Sequence, residues 1–182
     1  MKTYNFKRVM VWELPIRIFH WLNVLSIIVL CVTGFLIADP PAIMSSQEAT
    51  NIHFFGYIRV IHFIAAYVFF FIMIMRIYWL FAGNRFASWR AFWPFRKVFW
   101  RNFWHVMKID VLLQNEKVED VTKISIGHNS VSKLSYIAIF FLDLIMVITG
   151  FGLYEDMSIC WLPKMFDWVS PMFGGDYLVR TI

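Results

Sequence analysis

The stretch IRVIHFIAAYVFFFIMIMRIYWLFA, Ile58 to Ala82, decides the fold. It is full of Phe, Ile and Met, and is long enough to cross about 30 Å of hydrocarbon at about 1.5 Å per helical residue. Gly83-Asn84 supplies its stop. Two runs of the same kind flank it: Ile18 to Ala38, closed by Asp39-Pro40-Pro41, and Leu134 to Tyr154. The expected fold is all-α, an integral membrane helical bundle with spans over 18–38, 58–82 and 134–154, forming one domain over residues 1–182.

Composition agrees with that reading. Of 182 residues, 60% are hydrophobic, 20% aromatic and 16% charged, and the mean hydropathy is +0.62. A soluble domain carries about a quarter charged residues. Cys31 lies in an apolar run and Cys160 in a polar connection, so they read as small hydrophobes rather than a disulfide or zinc pair. The absence of Cys-x-x-Cys-His argues against covalent c-type haem. Met1 to Arg17 lacks the small-residue cleavage pattern of a signal peptide, so the first run is expected to stay as a helix.

Charge orients the spans. Lys2, Lys7, Arg8 and Arg17 precede the first span, and the loop over 83–133 holds Arg85, Arg90, Arg96, Lys97, Arg101, Lys108, Lys117, Lys123 and Lys133. The connection from Asp39 to Tyr57 has no Lys or Arg, only polar residues such as Ser45, Ser46, Gln47, Glu48 and Asn51. The N-terminus and the basic loop are therefore expected in the cytoplasm, with the chain crossing the membrane several times. Within the basic loop, Trp89, Phe92, Trp93, Phe99, Trp100, Phe103, Trp104 and Met107 recur at three-to-four spacing against Arg96, Lys97, Arg101 and Lys108. This pattern predicts an amphipathic helix lying in the headgroup layer. Basic residues among aromatics also suit nucleic acid, but between two membrane spans the lipid surface accounts for them.

Two histidines stand inside the apolar runs. His20 lies two residues inside the cytoplasmic edge of the first span, and His62 four residues inside the outer edge of the second. At about 1.5 Å per residue they are separated by roughly 20 Å along the membrane normal, too far to share one iron. Each can bind its own haem if another helix supplies the opposite ligands from histidines about 14 residues apart. None of the three spans has such a pair, and His53, His105 and His128 fall in loops or at their edges. The competing reading is a neutral imidazole bridging two helices.

Other positions extend this reading. Val32-Thr33-Gly34-Phe35 recurs as Ile148-Thr149-Gly150-Phe151, and Gly34 and Gly150 let a flat macrocycle or a second backbone approach. Arg17 and Arg59 each lie three residues before a histidine, one helical turn away, where they can meet haem propionates or snorkel to lipid phosphate. Asp143, mid-span, is expected to be protonated or bonded to a polar neighbour, with a proton relay as the alternative. Gly127-His128-Asn129 precedes the third span, where Asn129 is either a helix cap or, with His128, part of a quinone site.

Val11-Trp12-Glu13, Pro15-Ile16-Arg17, Phe19-His20-Trp21, Thr33-Gly34-Phe35, Gly127-His128-Asn129 and Thr149-Gly150-Phe151-Gly152-Leu153-Tyr154 together carry a family pattern. Over essentially the whole chain the sequence resembles the b-type cytochrome subunit of membrane-bound nickel-iron hydrogenases. The resemblance implies four transmembrane helices holding two b haems, with His20 ligating the haem nearer the cytoplasm and His62 the one nearer the periplasm. It further implies that electrons pass from the hydrogenase small subunit, partnered by its large subunit, to a membrane quinone. The fourth helix of that family is not found here, so the chain is read as truncated or as part of a longer product. Asp143 departs from the family expectation of an apolar residue. The b-type subunit of another respiratory enzyme, such as a formate dehydrogenase, or a diheme cytochrome b561 shares the histidine logic, and a non-redox scaffold or transporter subunit is the alternative of a different class.

Overall fold

The computed structural model of the chain describes residues 10–41, 53–94, 97–108, 112 and 127–181. Among these the structure is helical. The long helices are α1 (Leu14–Ala38), α2 (Phe54–Ala82) and α5 (Ser130–Tyr154), with α3 (Trp89–Phe92) and α4 (Lys97–Val106) between α2 and α5. A 3-10 turn (Glu155–Met157), α6 (Trp161–Lys164), α7 (Val169–Met172) and α8 (Asp176–Thr181) complete the order.

The three expected spans are present, and all three are long and apolar enough to cross a membrane. Their C-terminal ends coincide with the expectation at Ala38, Ala82 and Tyr154, but each helix begins four residues earlier, at Leu14, Phe54 and Ser130. Hydropathy marks where charge stops. Helix geometry starts sooner, because Pro15 is tolerated in a first turn and Asn129 caps α5.

The aromatic segment of the loop differs from the single helix expected. It is divided into α3 and α4, and Trp93 is extended at φ −61° and ψ 112°. Pro94 follows it, and a residue before proline is pushed out of the α region by contact with the ring. In α4, Phe99 is buried while Trp100 and Trp104 are exposed. The basic residues Lys2, Lys7, Arg8, Arg96, Lys117 and Lys123, and the polar residues Ser45 to Asn51, lie outside the described residues.

The described residues pack as two compact units, one within 1–19 and 76–139 and the other within 20–75 and 140–182. In the first, Glu13 ties the N-terminal segment to the end of α2. Its Oε2 accepts from Trp79 Nε1 at 2.9 Å and from the Asn84 backbone N–H at 3.3 Å. Asn84 returns the link by donating from Nδ2 to the Val11 carbonyl at 3.1 Å, and its Oδ1 accepts from the backbone N–H of Phe86 and Ala87. Gly83 is required there, since a Cβ would lie 2.6 Å from the Trp79 carbonyl oxygen.

In the second unit, α1, α2 and α5 are joined pairwise. Thr33 meets His62 between α1 and α2, Asn23 meets Asp143 between α1 and α5, and Phe151 packs edge-on against Tyr67 and Phe70 between α5 and α2. Phe151 also stacks on Phe166, 5.6 Å between centroids at 18°. Gly152 admits Val169, which is 0% exposed; a Cβ at 152 would stand 2.7 Å from the Val169 Cβ.

Gly152→Ala should therefore lower the apparent melting temperature in detergent by the equivalent of about 1–3 kcal/mol of overpacking. Adding Val169→Ala should recover part of that loss, and purely additive losses in the double variant would contradict the contact.

Candidate functional site

His62 stands in the third turn of α2, half-buried against α1. Its Nδ1 lies 2.8 Å from Thr33 Oγ1. A Cβ built on the neighbouring Gly34 would sit 3.5 Å from His62 Cε1, an ordinary contact, so the ring edge rests on the bare backbone of α1. Thr33 is 7% exposed. Its hydroxyl also points at the carbonyl of Val29, 2.6 Å away, one turn back along α1.

His20 has a different setting. Its ring is exposed and lies edge-on to Trp21 at 5.6 Å. Arg17, one turn before it, is exposed, as is Arg59, whose guanidinium lies 5.3 Å above the Phe55 ring. Around Gly150 nothing comes within 4 Å of a Cβ, so this glycine faces open space, unlike Gly34 and Gly152. Asp143 has the polar neighbour expected of it, since Asn23 Nδ2 donates to its Oδ2 at 3.3 Å.

The Gly127-His128-Asn129 turn belongs to the first unit. Asn129 is the cap of α5: its Oδ1 accepts from the Ser132 backbone N–H at 2.8 Å, satisfying one of the donors a helix start leaves orphaned. Gly127 takes φ +91°, where a side chain would be strained. His128 is enclosed by aromatic rings, with centroids 4.2 Å from Trp12, 4.3 Å from Tyr136 and 5.9 Å from Phe92. Burial lowers the His128 pKa below its ordinary 6.5, helped by the positive charges of Arg76 and Lys133. Arg76 lies 5.7 Å over the Phe92 ring, and its buried Nη1 has no hydrogen-bond partner among the described residues.

Four of these residues escaped the sequence reading in the roles they play: Thr33, Asn23, Glu13 and Arg76. Arg76 had a usable signal, a lone cation inside an apolar helix. The other three are defined by partners 29, 120 and 66 residues away in sequence, which no local pattern encodes.

His128 provides a test by pH. Because its pKa is lower in the folded chain than the 6.5 of a free imidazole, the unfolded chain takes up the proton first. Its share of stability is complete above 6.5 and is lost as pH falls below that value. The apparent melting temperature should drop on acidification through this window, and the drop should be smaller in His128→Phe; equal pH profiles would contradict the assignment.

Comparison with known proteins extends over the same residues. The profile of a family described as prokaryotic cytochrome b561 matches residues 11–179. The probable Ni/Fe-hydrogenase 1 B-type cytochrome subunit of Escherichia coli (strain K12) is 40% identical over 150 residues, covering 81% of this chain and 61% of that protein. Probable Ni/Fe-hydrogenase B-type cytochrome subunits of Cupriavidus necator and Azotobacter vinelandii are each 37% identical, covering 97% and 95% of this chain and 72% and 71% of those proteins. The chain thus spans about three-fifths of the Escherichia coli relative and nearly three-quarters of the other two. It belongs to the prokaryotic cytochrome b561 family, the family of these Ni/Fe-hydrogenase B-type cytochrome subunits.

Proposed function

We propose that the chain is the membrane-embedded electron-transfer subunit of a hydrogen:quinone oxidoreductase. In this reading the chain would hold two b-type haems and pass electrons from a hydrogenase small subunit at the periplasmic face to quinone in the bacterial inner membrane. The hydrogen-splitting step belongs to the small and large hydrogenase subunits. The observation that carries the reading is that His20 and His62 stand singly, on different long apolar helices, in a chain of a b-type cytochrome family.

The donor set fits a haem better than a bare ion. No group of three or more His, Cys, Asp or Glu converges among the described residues. A lone imidazole suffices for haem, because the macrocycle itself supplies four nitrogens and the protein only the axial donors. When bound, haem b supplies one-electron ferric/ferrous chemistry. His20 and His62 would each hold one haem through a ring nitrogen, and any further protein donors would come from outside the three spans. Gly34 lets the edge of the His62 ring rest on the α1 backbone, and the open space at Gly150 would admit a flat ring. Arg17 and Arg59, both exposed and one turn from a histidine, are available to propionates.

The quinone head group is assigned to His128 and Asn129. The neutral imidazole can donate one N–H to a quinone carbonyl, and Asn129 retains its amide nitrogen while its oxygen caps α5. The N-terminus and the loop between α2 and α5 face the cytoplasm, where α4 lies with Trp100 and Trp104 toward acyl chains and Lys97 and Arg101 toward phosphates.

The test is the dithionite-reduced spectrum of the full-length protein in its hydrogenase complex. His20→Ala and His62→Ala should each remove about half of the b-type absorbance, because each haem has one of these ligands. His62→Ala should also stop hydrogen-dependent quinone reduction while the hydrogenase subunits still reduce an artificial dye. Retention of both haems in either variant would rule out that histidine as a ligand.

A further inference from the structure

We infer that Thr33 is a positioning residue that sets the tautomer of His62, holding Nδ1 as the N–H so that the Nε2 lone pair is the one offered to a metal centre. The inference rests on the reading of His62 as an axial ligand and identifies what prepares it.

The geometry leaves little choice of hydrogens. A hydroxyl has one hydrogen and two lone pairs. Thr33 Oγ1 lies 2.6 Å from the Val29 carbonyl and 3.4 Å from the Leu30 carbonyl, groups that only accept. Its hydrogen is thereby committed to the α1 backbone, the usual bond of a helical threonine to the residue four before it. The remaining contact, 2.8 Å to His62 Nδ1, must then have the ring as donor. A neutral imidazole has a single N–H, so Nε2 keeps its lone pair.

Thr149 is the internal control. It sits in the matching Thr-Gly-Phe string, is equally buried, and makes the same backward bond, 2.8 Å to the Ile145 carbonyl. The backward bond is therefore a property of the string. The histidine is what α2 adds at Thr33 alone. An N–H donated by a ligating imidazole makes its other nitrogen a stronger donor and fixes the ring's orientation. A stronger donor favours ferric iron, so Thr33 should hold the potential of that haem down.

Redox titration and low-temperature EPR of the haem-loaded complex test this with Thr33→Val, Thr33→Ser, Thr149→Val and His62→Ala. Thr33→Val, of nearly the same shape without the hydroxyl, should raise the midpoint potential of one haem and change its low-spin signal. The other haem should stay as it was, and Thr33→Ser and Thr149→Val should match wild type. Loss of one haem in Thr33→Val but not in Thr33→Ser equally supports the hydroxyl's role. The inference is overturned if Thr33→Val keeps both haems at unchanged potentials, if Thr33→Ser loses the haem as readily, or if Thr149→Val produces the same shift. Retention of both haems in His62→Ala would instead bring down the ligand reading and this inference with it, whereas the preceding outcomes sink the Thr33 inference alone.

Discussion

Along the three long helices, polar side chains must find their partners inside the bundle, because the surrounding medium of a membrane span offers none. The arrangement of α1 follows from this. It buries Ser26 and Thr33 and turns Leu25, Ile28 and Val32 outward, the reverse of a water-soluble helix. Asn23 is bonded to Asp143, and Thr33 to both its own helix backbone and His62. These polar pairs are also the joints between helices: α1 meets α5 through the first and α2 through the second. The same constraint that makes a histidine costly in a span therefore fixes where its ring is held.

The two units divide the work differently. Residues of the second unit hold both candidate ligands on helices joined by edge-on aromatic contacts and hydrogen bonds over a buried apolar core. The first unit is built on Glu13, Asn84 and the ring of aromatics around His128, with backbone donors and acceptors satisfied by side chains at each turn. Asn129 shows how the structural and functional readings of one motif coexist. Its oxygen is engaged as a helix cap, so any role toward a ligand is confined to its amide nitrogen and to His128.

What was legible in the sequence was set by period, length and charge. The three spans, their C-terminal ends, the glycine stop at Gly83 and the isolation of His20 and His62 on separate helices are local or cumulative properties of the chain. Helix starts were less legible, since capping and first-turn tolerance extend a helix beyond its apolar run. The break at Trp93 needed only Pro94, but the unbroken aromatic spacing on both sides masked it.

The repeated strings mark the boundary between the two kinds of information. Sequence alone placed Thr33 and Thr149 one residue before a glycine, each within a single helical turn of the carbonyl its hydroxyl meets. It could not say that Phe35 would be 69% exposed and Phe151 5% exposed, nor that only Thr33 would receive a histidine. Those outcomes depend on which helix packs against each string, and such packing joins residues far apart in the chain. Only the tertiary structure decided that one of two near-identical strings became the support of His62.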